Sequence, residues 1–283
     1  MFYHLMRSIV KVTLHLYIKR IGWHGVENIP HNQPVLFCPT HSNSFLDALF
    51  VCAYLNQPVF ALARGDAFRN PTIRGILYGF KLLPIFRQSE GEADTELKNQ
   101  QSFDTCHELF KQNQYVLIFP EGIAKHQKEV LPMKKGAALM IKRAWSEEIP
   151  VQVIPVGVAY NHFKAWDKKC DVIFGKPILA SDFQNVESPD FPDKFNSTLL
   201  ESMKKIFPSP FNFEKNKLHW GVFGQVLYYT SWLFHFPLYF FCTALAKKLT
   251  KGSAFYDSTI LGLISVLFPI YYLLIGLIWY FCH

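Results

Sequence analysis

A histidine and an aspartate stand six positions apart, directly after an apolar run. His41 and Asp47 lie in the segment CPTHSNSFLDAL, which follows the apolar residues at 35–38. A histidine beside a carboxylate can serve as a general base, because the carboxylate fixes the imidazole tautomer and leaves the second nitrogen free to take a proton from a hydroxyl. Six residues at about 100° each would separate the two side chains by about 120° on a helix. His41 is therefore predicted in a loop that folds back over the first turn of a helix holding Asp47.

A second interpretation of the same segment is purely structural. Ser44 and Asp47 have the spacing of a helix N-cap and its acidic third residue, ahead of the apolar residues 48–51. A cap accounts for Ser44 and Asp47 but gives His41 no role. Both interpretations can hold at once.

Other polar groups follow other apolar runs. They are Arg64, Arg87, Glu121 with Gly122, and the pair Lys134 and Lys135 that opens a helical pattern. The planar guanidinium of arginine suits phosphate oxygens, and lysines add positive charge. Each group alone is common in turns and on surfaces. Their shared position at strand ends is what indicates a single site.

The middle of the chain alternates short apolar runs with helical patterns. The runs lie at 35–38, 59–63, 83–86, 115–119 and 151–158, and the helical patterns at 44–55, 71–81, 95–111 and 133–145. Continuous apolar runs are typical of strands buried on both faces. The alternation predicts an α/β fold with a largely parallel sheet flanked by helices, whose functional groups lie at the strand ends.

The composition limits the classes of function. The 283 residues are 50% hydrophobic and 16% aromatic, with a formal net charge of +7. The six cysteines are scattered without a C-x-x-C pair, which argues against a disulfide scaffold or a zinc site and favours a reducing compartment. The positive charge suits either nucleic acid or an anionic membrane surface.

The apolar stretches near the C-terminus favour the membrane. Residues 222–246 and 259–282 contain no Asp, Glu, Lys or Arg, and each stretch is long enough to cross about 30 Å of hydrocarbon as a helix. We predict membrane-embedded helices within residues 209–283, after a boundary near the prolines at 208–210. The first stretch contains Gln225, His235 and Pro237, which are costly at the bilayer centre. Whether it spans the membrane or re-enters with a bend near Pro237 is left open.

The N-terminal residues 1–21 have the pattern of a basic amphipathic helix. Five basic residues recur at spacings of three and four on one predicted face: His4, Arg7, Lys11, His15 and Lys19. A helix of this kind can lie in the membrane interface. The alternative is an ordinary surface helix of the domain that spans residues 22–208.

Taken together, these motifs resemble the phospholipid/glycerol acyltransferase family, which includes 1-acylglycerol-3-phosphate acyltransferases with a PlsC-like domain. The resemblance covers about residues 22–180, and its blocks are His41 with Asp47, then Ile-Phe-Arg at 85–87, Phe-Pro-Glu-Gly at 119–122 and Ile-Pro-Val at 154–156. Five residues separate His41 from Asp47 where four are common. That spacing resembles a branch containing fungal glycerol-3-phosphate and dihydroxyacetone-phosphate acyltransferases. Ile-Ala-Lys at 123–125 also departs from the common Thr-Arg-Ser.

The resemblance implies a membrane O-acyltransferase with its catalytic domain on the cytosolic face. His41 would be the general base and Asp47 its orienting group, and the acyl donor would be acyl-CoA or acyl-ACP. The acceptor hydroxyl would belong to lysophosphatidate or glycerol-3-phosphate. The mechanism requires no acyl-enzyme, metal or bound cofactor, and the partners are a phospholipid membrane and the two substrates rather than nucleic acid.

The acceptor would be bound by Arg87, Glu121 and Gly122, with further contributions from Lys134, Lys135 and Arg64. Two other classes of function compete. A lipid ester or thioester hydrolase could use the same His41 and Asp47 pair to activate water, but it would not need a phosphate site. A non-catalytic membrane-binding module would leave that pair unexplained.

Overall fold

A computed structural model describes residues 2–87, 94–126, 129–163, 168–184, 186–187, 189–207, 221–251, 253 and 255–282. In these residues the strands are β1 (Ile18–His24), β2 (Val35–Pro39), β3 (Val59–Arg64), β4 (Leu82–Ile85), β5 (Tyr115–Leu117), β6 (Gln152–Tyr160) and β7 (Lys168–Phe174). The helices are α1 (Phe2–Tyr17), α2 (Phe45–Tyr54), α3 (Pro71–Gly79), α4 (Thr95–Lys111), α5 (Lys135–Ser146), α6 (Phe191–Ile206), α7 (Gly221–Thr250) and α8 (Tyr256–Cys282).

The strands form one sheet in the order β1-β7-β6-β2-β5-β3-β4. Neighbouring strands are parallel throughout, except that β6 and β7 run antiparallel. The central strand is β2, where Phe37 faces Leu117 of β5 on one side and Ile154 of β6 on the other. The predicted α/β fold with a largely parallel sheet is confirmed.

Helices cover both faces of the sheet, and this explains why its strands are apolar without interruption. Along β2, Val35 and Phe37 point into one core and Leu36 and Cys38 into the other, and all four side chains are fully buried. The first core also contains residues of α1, α2, α7 and α8, whereas the second contains residues of α4, α5 and α6. A strand that is buried on both faces has no side toward solvent, so polar residues do not alternate with apolar ones along it.

Two strands and one helix were not predicted from the sequence. They are β1, β7 and α6, and β1 and β7 pair with each other at one edge of the sheet. Charged residues such as Lys19 and Arg20 interrupt the apolar pattern of β1, which an edge strand tolerates. The predicted helix over residues 1–21 was therefore too long, because α1 ends at Tyr17 and β1 begins at Ile18.

The basic face of α1 packs against α2 instead of standing free. Arg7 donates from Nε to the carbonyl oxygen of Ala53 over 2.8 Å, and the Lys11 ammonium lies 5.5 Å from the centre of the Tyr54 ring. The last carbonyls of a helix lack intrahelical partners and carry its negative dipole end, so cations stabilise them. The outward residues of α1 include the apolar Leu5 and Val12. Contact between this helix and a membrane stays a prediction.

The two C-terminal helices run antiparallel to each other. The Tyr271 hydroxyl donates to the carbonyl oxygen of Phe234 over 2.7 Å, and His235 Nε2 lies 2.8 Å from the Tyr272 hydroxyl. The hydrogen bond of His235 offsets the free-energy cost of placing a histidine in an apolar helix. Helix α7 continues through Pro237, so the chain does not reverse its direction there as a hairpin would require. The predicted boundary at 208–210 lies outside the described residues.

In the described part of the chain, α8 alone is long and apolar enough to cross a membrane, with a mean hydropathy of 2.3. Its exposed face includes Leu273, Ile278 and Phe281. Exposed apolar side chains at this density are unusual for a surface in water. Their burial in a bilayer stays a prediction.

Candidate active site

The central strand, β2, ends shortly before His41, so this residue lies at the edge of the sheet where the parallel strands end. Thr40 fixes this exit: its N–H donates to the carbonyl oxygen of Val156 over 2.9 Å, and its hydroxyl accepts from the N–H of Val158 at 3.0 Å. Both partners belong to β6, the neighbour of β2. The loop that carries His41 therefore starts from two hydrogen bonds to a rigid strand.

The structure brings His41 and Asp47 together as the sequence predicted. His41 Nδ1 lies 3.5 Å from Asp47 Oδ2, and Asp47 is fully buried in the first turn of α2. This separation is longer than an ordinary hydrogen bond, and such contacts commonly shorten when substrate binds. Nδ1 is itself buried, while 13% of the His41 side chain is exposed. The accessible part of the ring thus lies away from the carboxylate.

Two residues that the sequence motifs did not single out hold the Asp47 carboxylate. The N–H of Asn43 donates to Oδ2 over 2.7 Å, and the Tyr160 hydroxyl donates to Oδ1 over 2.7 Å. Burial, together with the neighbouring negative charge of Asp47, raises the pKa of Tyr160 well above its usual range. The phenol therefore keeps its proton and remains a donor. The signal in the sequence was a tyrosine at the C-terminal end of a strand, where functional groups collect.

Ser44 does not form the predicted capping interaction. It occupies the N-cap position of α2, but its side chain makes no cap hydrogen bond, and the Asp47 carboxylate binds the N–H of Asn43 instead. The cause is its backbone, with φ of 55° and ψ of −140°. A non-glycine residue in such a sparsely populated conformation costs about 1–3 kcal/mol, so its surroundings must hold it there.

The segment after β5 encloses His41 from the other side. The His41 and Phe119 rings stack with centroids 3.6 Å apart and planes 17° apart. Glu121 Oε1 accepts from the backbone N–H of His41 at 3.3 Å, and the N–H of Lys125 donates to the His41 carbonyl oxygen over 3.1 Å. Glu121 is buried. Its carboxylate thus supports the His41 backbone, and its contact with a substrate stays a prediction.

Gly122 makes the turn of this segment possible. Its φ is 72°, and a Cβ at this position would lie 3.0 Å from Lys134 Cγ. The N–H of Lys134 donates to the carbonyl oxygen of Pro120 over 2.7 Å, which fixes the segment to the start of α5. The side chains of Lys134 and Lys135 are exposed there. A phosphate-binding role for these lysines stays a prediction.

The two candidate arginines differ in their surroundings. Arg87 follows β4, is partly buried, and makes no ion pair within the described residues. Arg64 forms a two-pronged ion pair with Asp66, with contacts of 3.1 and 2.6 Å, so part of its binding capacity is engaged locally. Strand β4 lies three strands from β2, about 14 Å across the sheet. Contact of either arginine with a substrate stays a prediction.

The cysteine nearest to His41 in the sequence is unsuited to nucleophilic attack. Cys38 is fully buried on β2, and burial raises the pKa of its thiol well above the usual range. A thiol that keeps its proton is a poor nucleophile. The absence of a covalent enzyme intermediate stays a prediction.

Comparison with known proteins gives the same family as the motifs. Residues 20–159 match a family model described as Acyltransferase. The chain is 28% identical over 123 residues to glycerol-3-phosphate O-acyltransferase 2 of Saccharomyces cerevisiae, which covers 43% of this chain and 16% of that protein. It is 23% identical over 215 residues to 1-acyl-sn-glycerol-3-phosphate acyltransferase alpha of Mus musculus, which covers 71% and 70% of the two chains.

The fold also has a solved counterpart. The crystal structure of PlsC, the 1-acyl-sn-glycerophosphate acyltransferase of Thermotoga maritima, superposes with a TM-score of 0.52 at 13% identity. The superposition covers 74% of this chain and 80% of that one. At this identity the likeness establishes the fold.

Replacing Gly122 by alanine tests the turn beneath His41. We expect Gly122→Ala to lower the free energy of unfolding by about 1–2 kcal/mol, because an L-residue is strained at positive φ. Gly75→Ala is the matched control: a Cβ added there would meet no atom within 4 Å, and in the interior of α3 the change should stabilise by about 0.5–1 kcal/mol. Urea denaturation measures both, and equal effects of the two changes would contradict the assignment.

Proposed function

The chain belongs to the acyltransferase family whose model its residues 20–159 match, and on this premise we propose a specific reaction in glycerolipid synthesis. The protein transfers a fatty acyl group from acyl-CoA or acyl-ACP to a hydroxyl of lysophosphatidate or glycerol-3-phosphate. The observation that carries the proposal is the buried Asp47 carboxylate 3.5 Å from Nδ1 of a partly accessible His41.

His41 and Asp47 have different roles in proton transfer. Asp47 faces Nδ1 and favours the tautomer with the proton on that nitrogen, which leaves Nε2 unprotonated. Nε2 takes the proton of the acceptor hydroxyl while that oxygen attacks the thioester carbonyl carbon. The carbon–sulfur bond then breaks, and the departing thiolate takes the proton back from the imidazolium. Asp47 stabilises the imidazolium between these steps without being protonated itself.

The acceptor phosphate is held at the β4 side of the site. Arg87 lies beyond the end of β4, and its planar guanidinium is suited to bind two phosphate oxygens at once. Lysophosphatidate and glycerol-3-phosphate both carry this phosphate on a glycerol backbone. Relatives named for each acceptor are similar to the chain, the yeast and mouse proteins among them.

The proposed reaction takes place at a lipid surface, and the C-terminal helices support this location. Helix α8 is long and apolar enough to enter a bilayer, and its first residues pack in the same core as α1 and α2. Acyl-CoA and acyl-ACP are cytosolic, so the catalytic domain faces the cytosol.

An acceptor panel tests the reaction itself. Purified protein in mixed micelles is given radiolabelled acyl-CoA or acyl-ACP with lysophosphatidate, glycerol-3-phosphate, dihydroxyacetone phosphate or no acceptor. The proposal expects a labelled glycerolipid only when a phosphate-bearing acceptor is present. Release of free fatty acid at the same rate with and without acceptor would instead identify a hydrolase.

Replacement of His41 tests the general base. We expect His41→Ala to lower kcat by about 10²–10⁴-fold, the usual contribution of a general base, without changing the melting temperature appreciably. Asp47→Asn should lose nearly as much activity. His31→Ala, at an exposed histidine in the loop before β2, is the matched control. Turnover of His41→Ala within about threefold of the unmodified protein would refute this mechanism.

Replacement of Arg87 tests the phosphate site. We expect Arg87→Ala to raise KM for the acceptor by about tenfold or more while KM for the acyl donor changes little, because the guanidinium binds phosphate in ground and transition states alike. Arg74→Ala, an exposed arginine on α3, is the control. A rise confined to the donor KM would assign Arg87 to the donor side instead.

Residue 250 reports which side of the membrane holds the turn between α7 and α8. The start of α8 packs against the loop of His41, so this turn lies on the side of the catalytic domain. We expect Thr250→Cys, with the six native cysteines replaced, to react with a membrane-impermeant thiol reagent from the cytosolic side of sealed vesicles. Labelling only from the opposite side would overturn the proposed orientation.

A further inference from the structure

A buried carboxylate at the start of α8 is bonded to the loop that carries His41. Asp257 is the only acidic residue after Glu214 in the sequence, and it is fully buried. Its Oδ1 accepts from the Tyr17 hydroxyl at 2.6 Å, and its Oδ2 accepts from the side-chain amide of Asn43 at 2.8 Å. Residues from α1, the His41 loop and α8 thus meet at one carboxylate.

A fully buried lysine neutralises this carboxylate. Lys168, the first residue of β7, donates to Asp257 Oδ2 and to the carbonyl oxygens of His162 and Phe163 over 2.7 and 2.8 Å. An ammonium has three N–H donors, and all three are used. A buried ion pair is tolerated when its hydrogen bonds are complete and is costly when one partner is removed. The start of α8 is therefore fixed against the catalytic domain.

The next residue of α8 bridges the strained position of the loop. The Ser258 hydroxyl donates to the carbonyl oxygen of Asn43 over 2.9 Å and accepts from the N–H of Leu46 at 3.2 Å. These two backbone groups flank Ser44, whose φ is 55°. The Ser258 side chain thus binds the backbone on both sides of Ser44 and holds this residue in its strained conformation.

This segment leads directly to the catalytic pair. Asn43, whose side chain binds Asp257, donates its backbone N–H to the carboxylate of Asp47 over 2.7 Å. The same carboxylate faces His41 at 3.5 Å. A displacement of Asn43 therefore moves the group that orients the base.

We propose that Asp257 and Ser258 are positioning residues for the His41 and Asp47 pair, so that catalysis depends on the docking of the C-terminal helix against the catalytic loop. The inference rests on the proposed function of His41. Neither residue touches the reacting atoms. They act through Asn43 and through the backbone on both sides of Ser44.

Ser258→Ala is the direct test, made in the full-length chain in mixed micelles with labelled acyl donor. We expect kcat to fall about tenfold, the size of one buried hydrogen bond, with KM for both substrates within about twofold. The matched control is Ser265→Ala, which removes a serine two turns further along α8. That hydroxyl lies 3.0 Å from Thr13 Oγ1 on α1 and does not reach the catalytic loop. The control should keep kcat within about twofold.

A double-mutant cycle separates positioning from a general loss of stability. Glycine adopts positive φ without strain, so a loop with Ser44→Gly needs less support. We expect Ser258→Ala to cost about threefold or less in the Ser44→Gly background, against about tenfold in the unmodified protein. A merely structural role for Ser258 would give the same loss in both backgrounds, and this result would overturn the proposal.

Asp257 is tested without leaving a buried charge behind. Asp257→Ala is combined with Lys168→Met, because the single change would bury an unpaired ammonium. We expect the double variant to keep its melting temperature within a few degrees while its kcat falls about tenfold, since Asn43 loses its acceptor. A folded double variant with unchanged kcat would overturn the role of Asp257.

The outcomes distinguish the inference from the reaction on which it rests. Full activity of both Ser258→Ala and the Asp257→Ala and Lys168→Met pair, beside an inactive His41→Ala, overturns the inference and leaves the reaction standing. If His41→Ala is active, both the proposed reaction and the inference that rests on it are refuted. Equal losses of kcat in Ser258→Ala and Ser265→Ala, accompanied by equal losses of melting temperature, also overturn the inference.

Discussion

The structure around the site depends on the burial of one carboxylate, that of Asp47. A carboxylate without access to water must be paired or hydrogen-bonded, because desolvation of an unpaired charge is costly. Asp47 obtains its donors from the backbone of Asn43 and the hydroxyl of Tyr160, and it faces the imidazole of His41. These contacts join three elements: the His41 loop, the end of β6 and the start of α2, which carries Asp47. The need to satisfy one buried charge therefore fixes the geometry of the base.

The central position of β2 makes this arrangement possible. Its parallel neighbours β5 and β6 end at the same edge of the sheet, so the segment with Phe119 and Glu121 reaches His41, and the strand end with Tyr160 reaches Asp47. The imidazole is thereby held by stacking on Phe119 and by backbone hydrogen bonds as well as by Asp47. Groups held on all sides lose little freedom during reaction, which is the basis of preorganised catalysis.

A second buried carboxylate extends the same principle to the C-terminal helices. Asp257 is neutralised by Lys168 and bonded to Asn43, so α8 is attached to the domain by polar contacts with defined geometry. Apolar packing alone would allow the helix to slide, since hydrophobic contacts are non-directional. A lone acid at the border of an apolar stretch is costly unless it has partners, and at position 257 those partners belong to the catalytic loop, α1 and β7.

The sequence alone determined the fold class, the position of His41 in a loop directly after an apolar strand, and the family, because these depend on local apolar patterns and on motifs contiguous in the chain. It also predicted α4 with its observed bounds, 95–111. It did not predict β1 and β7, because charged residues interrupt their apolar pattern, and these charges are accommodated by ion pairs such as Arg20 with Asp171 and Lys168 with Asp257. It misassigned Ser44 as a side-chain cap, since the backbone of that residue is set by bonds to a helix more than 200 residues away. The roles of Asn43, Tyr160, Lys168 and Asp257 were decided by tertiary structure, because a buried charge selects its partners by proximity in space.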